Sequence, residues 1–305
     1  MIVVVCPGQG SQTPGFLGPW LAEPRFLDRL TALSEAAGMD LVKHGTTSDA
    51  DTIRDTAVAQ PLIVAAGLLT LSALLDGRRD RIGGVAGHSV GEVTAAAAAG
   101  ILSETDAMTL VRERGAAMAE AAAITRTGMS AVVGGDEEQL LARLAELDLA
   151  PANFNGGGQI VVAGELPGLE ALKADPPAGA RVIPLQVAGA FHTRYMAPAA
   201  ERLRAAAAGL PTHDPSIPIW TNRDGSSVTS GETFIDLLVG QVSSPVRWDK
   251  TMDAFAAGGV TGVIEIAPAG ALVGLAKRGL KSVPTVAVKT PDDLAAAFDL
   301  IDGKS

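Results

Sequence analysis

The chain has 305 residues, a formal charge of −10, 47% hydrophobic residues, 4% aromatics and a single cysteine, Cys6. This length allows one large domain, or one large and one small, with a core filled by Ala, Val and Leu, and it leaves no intramolecular disulfide to form. The charge argues against nonspecific nucleic-acid binding, which needs clustered Lys and Arg. No apolar run approaches the ~18 residues that span a bilayer, and MIVVVCPGQG is too short and lacks the basic start of a signal peptide. A cytoplasmic protein without membrane contact, by default a monomer, is expected.

In chain order, Ile2 to Val5 is a β-branched run ending in Pro7-Gly8-Gln9-Gly10, which predicts a buried strand entering a loop. Helical patterns follow over Pro24–Ala37 and Gln60–Leu75, the second so apolar that it reads as a buried helix. Gly83 to Gly87 then leads into GHSVGE (87–92) and an Ala-rich helix from Val93 to Ala99. Ser103 and Asp106 suggest a capping box for a helix reaching about Ala123.

The middle of the chain changes rhythm. Strands at Met129–Val133, around Phe154, at Ile160–Ala163 and at Val182–Val187 alternate with helices at Asp136–Leu147 and Leu166–Ala174. That β-α-β-β-α-β order predicts a ferredoxin-like unit over 126–187. Alternation then resumes through Tyr195–Ala208, Ile217–Trp220, Thr233–Val242, Val260–Ile266, Gly270–Leu280 and Val283–Val288. The expected fold class is α/β: a large layered domain with a mainly parallel sheet (1–125 and 188–305), interrupted by a small α+β domain at 126–187.

GHSVG matches G-x-S-x-G, in which a serine sits on a tight strand-to-helix turn and the following helix aims its N-terminal N–H groups at developing negative charge. The bland alternative is a glycine turn that happens to hold a serine. As a nucleophile Ser89 needs a base. His88 adjoins it, and neighbouring side chains on a tight turn diverge; His44 and His213 lie in polar stretches. His192 follows a strand and a run of small residues, Val187 to Ala190, as a site lining would, although a buried structural histidine fits the same pattern. The glycines of PGQGSQ (7–12) allow close backbone approach to a ligand, yet neither a dinucleotide fingerprint nor a Walker lysine is present. Arg114 by itself reads as a solvated helix residue. No cluster has metal-ligand spacing, and no cofactor is expected.

Together these segments closely resemble the malonyl-CoA:acyl-carrier-protein transacylase family. The resemblance covers essentially the whole chain. It rests on PGQGSQ, GHSVGE, RGAAM (114–118), NFNGGGQIVVAG (153–164), GAFH (189–192), TNRDG (221–225) and QVSSPVRW (241–248). It implies an α/β-hydrolase-like large domain with a ferredoxin-like small one. By the same resemblance Ser89 is the nucleophile and His192 its base, oriented by the backbone carbonyl of Gln241. The N–H groups of Gln9 and Val90 form the oxyanion hole, Arg114 binds the malonyl carboxylate, and Met118 and Phe191 border the acyl group. Malonyl-CoA is then the donor and acyl carrier protein the acceptor, with a basic patch expected near the site mouth. Ser244, Ala267, Ala269 and Gly157 depart from the family's usual residues and touch loop geometry more than chemistry. A serine hydrolase is the rival reading, but such enzymes place their histidine near the C-terminus and no histidine follows His213. A carrier-protein-binding module without activity is the other.

Overall fold

The computed structural model describes residues 1–304. Its strands, in chain order, are β1 (Ile2–Cys6), β2 (Gly84–Gly87), β3 (Thr127–Gly134), β4 (Ala150–Gly156), β5 (Gln159–Glu165), β6 (Ala180–Pro184), β7 (Ile219–Trp220), β8 (Ser227–Val228), β9 (Val246–Arg247), β10 (Gly262–Glu265) and β11 (Thr285–Ala287). They form two sheets in a mixed α/β fold. The six-stranded sheet has the order β11-β10-β1-β2-β7-β8 and is parallel except for the antiparallel edge strand β8. Every residue of β1 is buried. Ile2, Val4 and Cys6 join the core that holds Leu62, Leu69 and Leu110, whereas Val3 and Val5 pack in the core of Trp248, Phe255 and Leu272. The period of two thus feeds both faces, and helices cover each.

The five-stranded sheet has the order β6-β3-β5-β4-β9. Its first four strands are antiparallel to their neighbours and come from one contiguous stretch. The fifth, β9, lies far along the chain and pairs in parallel with β4. The second sheet therefore extends beyond the 126–187 segment. A two-residue strand carries too little periodicity to be seen in sequence. Pro151, which cannot donate to a ladder, sits where β4 shifts register. The predicted strand Val182–Val187 ends at Pro184; only Leu185 adds one further bond, to Met129 O, before the chain turns toward His192.

The apolar helix runs from Thr56 to Leu74, four residues earlier than its pattern suggested. Pro61 reads as a residue near a helix start, yet the Asp55 side chain caps the helix by accepting from Ala57 N, and the helix runs through the proline. It is long and apolar enough to cross a membrane by composition alone, but 83% of its apolar window is buried inside the protein. The Glu104–Ile124 helix packs along it. Ser103 Oγ accepts from Asp106 N and donates to the Asp106 carboxylate, so the cap closes side chain to side chain instead of reaching back to the Ser103 N–H.

Candidate active site

The loops after β1 and β2 meet at the carboxyl edge of the parallel sheet, where α/β folds gather binding groups. After β2 the chain turns sharply at Ser89, with φ of 54°, and enters the Gly91–Ala99 helix. Both glycines of the motif are required by this turn. A Cβ on Gly87 would lie 2.0 Å from the Gly91 carbonyl carbon, and one on Gly91 would lie 2.1 Å from Cys6 O. The left-handed backbone at Ser89 is held by Asn222, whose Oδ1 accepts from Ser89 N at 2.7 Å while its Nδ2 donates to Gly87 O at 2.6 Å.

His192 arrives from the far end of the insertion, also with positive φ, 61°. Thr127 Oγ1 accepts from Ala190 N and Thr193 Oγ1 donates to Ala190 O, pinning the turn on both sides. Its Nε2 lies 2.7 Å from Ser89 Oγ, and its Nδ1 lies 2.8 Å from Gln241 O. A carbonyl can only accept, so Nδ1 carries the proton and the Nε2 lone pair faces the serine hydroxyl. Burial, reinforced by the Arg114 charge, lowers the His192 pKa from 6.5 to about 3. The ring is therefore neutral and able to accept a proton at ordinary pH.

Arg114 is 1% exposed, not solvated as its sequence context alone suggested. Its Nη1 donates to Gln60 Oε1 at 2.6 Å, and its Nη2 donates to Gln241 Oε1 at 2.8 Å and Ser89 Oγ at 3.3 Å. Met118, one turn further along the helix, accepts from Gln60 Nε2 through Sδ at 3.3 Å. Neither Gln9 N nor Val90 N has a hydrogen-bond partner among the described residues, and both residues line the cavity with Ser89. Ser89 N, committed to Asn222, is not free to join them.

These groups open into a cavity of about 480 Å³ between the two sheets. Gln9, Ser89, Val90, Arg114, Met118, Phe191 and His192 all line it; Gln241 stands behind them and reaches Ser89, His192 and Arg114 from there. Met129, Asn153 and Val161 supply the wall from the second sheet, and Arg278 lies at the rim. His88 does diverge from Ser89, its Nε2 meeting Asn155 Oδ1 at 3.0 Å. Among the described residues no group of three or more His, Cys, Asp or Glu is placed to hold a metal ion.

Four participants escaped the sequence reading. Gln60 and Asn222 hold Arg114 and the serine turn. His88 forms part of the cavity wall. Glu92, the last letter of GHSVGE, is 1% exposed beneath the site; burial raises its pKa to about 8, against the pull of Asn222 N–H and the Arg114 charge. Of the four, His88, Glu92 and Asn222 sit inside quoted motifs, and Gln60 alone leaves no such trace in the sequence.

The acyl transferase domain family matches residues 3–294. The malonyl CoA-acyl carrier protein transacylase of Mycobacterium tuberculosis is 53% identical over 298 residues, covering 96% of this chain and 98% of that protein. The crystal structure of MCAT from the same organism superposes with a TM-score of 0.94 at 52% identity, covering 97% of this chain and 99% of the other. A malonyl-transacylase solved in complex with its type II PKS acyl-carrier protein gives a TM-score of 0.91 at 31% identity, covering 98% and 99% of the two chains. Matched in sequence and in fold over nearly its whole length, the chain belongs to the acyl transferase domain family.

Proposed function

We propose that this protein transfers a malonyl group from malonyl-CoA to the phosphopantetheine thiol of an acyl carrier protein, through a malonyl ester on Ser89. The observation that carries this reading is the placement of both a neutral base and a buried guanidinium on one hydroxyl: His192 Nε2 at 2.7 Å and Arg114 Nη2 at 3.3 Å from Ser89 Oγ. The first makes the oxygen nucleophilic; the second selects an acyl group that brings its own carboxylate. The names of the relatives, and a relative's complex with a carrier protein, support donor and acceptor.

In the first half-reaction Ser89 Oγ attacks the thioester carbonyl carbon while its proton passes to His192 Nε2. The oxyanion is received by Gln9 N–H and Val90 N–H, each worth about 3 kcal/mol in comparable sites. The C–S bond then breaks and His192 returns the proton to the CoA sulfur. In the second half the carrier thiol repeats these steps against the serine ester and regenerates the hydroxyl. Arg114 holds the malonyl carboxylate, and Met118 and Phe191 line the space for its methylene. The Gln241 carbonyl keeps the histidine in the tautomer that both halves need.

The same reading takes 1–125 and 188–305 as an α/β-hydrolase-like domain and 126–187 as a ferredoxin-like one. The β-α-β-β-α-β order and the arrangement β6-β3-β5-β4 support it. An acidic carrier meeting an acidic enzyme needs local positive charge, which the exposed Arg278 in the cavity lining and Lys289 beside Gly270 supply. Intact-mass measurement after incubation with malonyl-CoA tests the proposal. A malonyl adduct is expected on the protein, absent in Ser89→Ala and discharged by holo carrier protein. Rapid hydrolysis of malonyl-CoA independent of any carrier would overturn it in favour of a hydrolase.

A further inference from the structure

Behind the groups that would touch substrate lies a polar relay with a defined direction. Glu92 Oε1 accepts from Asn222 N at 2.6 Å, and its Oε2 accepts from Gln241 Nε2. A primary amide has one donating and one accepting end. With Nε2 given to Glu92, and also within 3.1 Å of Ser89 O and Asn222 Oδ1, Gln241 Oε1 is left for Arg114 Nη2, 2.8 Å away. The other end of the guanidinium rests on Gln60 Oε1 at 2.6 Å, while Arg114 Nε has no partner. Two amide carbonyls thus hold the buried cation, and one of them is aimed by a carboxylate.

We infer that Glu92 is a positioning residue for acyl selection: its carboxylate fixes the Gln241 amide, which in turn holds the Arg114 guanidinium where an acyl carboxylate is received. The inference rests on Arg114 being that receptor. Two donors face the two Glu92 oxygens, an arrangement that an ionised carboxylate, which only accepts, satisfies in full and that a protonated one does not. In Glu92→Gln one of those oxygens becomes an NH₂ group. If the remaining oxygen keeps Asn222 N, the NH₂ confronts Gln241 Nε2, and the Gln241 amide flips to escape two opposed donors. Its NH₂ then faces Arg114, which can only donate, and the guanidinium loses its seat. Acyl groups without a carboxylate do not use that seat.

The test measures kcat/KM for malonyl-CoA and acetyl-CoA in the whole chain at about pH 9, where Glu92 is ionised, and compares their ratio. Glu92→Gln is expected to lower the malonyl-to-acetyl ratio about tenfold or more, the size of losing a hydrogen bond to a charged group. Gln241→Met, which keeps the backbone carbonyl for His192, should lower it similarly, and adding Glu92→Gln to that variant should change it little further. If Glu92→Gln does not fold, Glu92→Asp, which keeps the charge but draws it back from Gln241, takes its place with the same expected fall in the ratio. An unchanged ratio, with both acyl groups falling together, would reduce Glu92 to a stabiliser of the serine turn and overturn the inference, as would independent, multiplying effects of the two substitutions. Arg114→Ala separates the two levels. If it leaves the ratio unaltered, the receptor reading itself has failed; if it collapses the ratio while Glu92→Gln does not, only the relay has failed.

Discussion

Burial shifts His192 and Glu92 in opposite directions, because it penalises the charged form of each: the imidazolium in one case and the carboxylate in the other. His192 drops to about 3 and Glu92 rises to about 8. Protonation of His192, the proposed base, would remove activity as pH falls and is therefore displaced far below 6.5. Over pH 5 to 7, kcat/KM for serine acylation should lack the acid limb that an ordinary histidine imposes. Ionisation of Glu92 should instead raise it as pH climbs through about 8, and Glu92→Gln should be low and flat there. The stability sign for His192 follows the same shift. Between 6.5 and about 3 the unfolded chain binds a proton that the folded chain refuses, so stability is lost as pH falls through that window, readable in urea melts. A limb at 6.5 would mean that His192 is not held neutral by its surroundings. Ser89 was legible from its strand-to-helix turn motif and His192 from the small residues before it, a pattern that a structural histidine shares, whereas Arg114 stood out only through the family resemblance. Gln60 was not: it opens an apolar stretch, and its partner Arg114 lies 54 residues away, a distance only the fold closes.

Among the elements, two helices that open with a proline in the first turn were read closely. Pro24–Ala37 and Leu166–Ala174 appear with the boundaries their patterns indicate. Short pieces were not: the Leu41–Thr46, Ala50–Arg54 and Trp248–Ala257 helices and strand β9 went unseen, the shortest of them spanning too few residues for any period to show. The two sheets were foreseeable from the change in rhythm near residue 126, but β9 joining the second sheet was not, because pairing between distant segments leaves no local trace. At this scale glycines separate into two kinds. Gly240, inside the Gly231–Gln241 helix, has no atom within 4 Å of where a Cβ would stand. Gly240→Ala should therefore stabilise the protein by about 0.5–1 kcal/mol through helix propensity. Gly91→Ala presses a methyl against the backbone of β1, and a loss of about 3 kcal/mol or failure to fold is expected. Denaturant midpoints for the two variants moving in the same direction would contradict this assignment.

Across the whole molecule, the earliest of the described strands in chain order is one of the two at the centre of the six-stranded sheet. β1 pairs with β2 on one side and with β10, some 260 residues later in the chain, on the other. During synthesis it therefore carries an open, fully apolar edge until some 260 further residues have left the ribosome, and long-range closure of this sort is slow and exposed to misassembly. Chains stopped before Gly262 should emerge with Ile2 to Cys6 unpaired on that side and collect as aggregates, while chains completed through β11 should remain dispersed. Sedimentation of nascent or truncated products would show the difference. The central position of this strand, which places the Gln9 loop beside Ser89, thus leaves the proposed active site exposed to its neighbours in a crowded cell until β10 has been made.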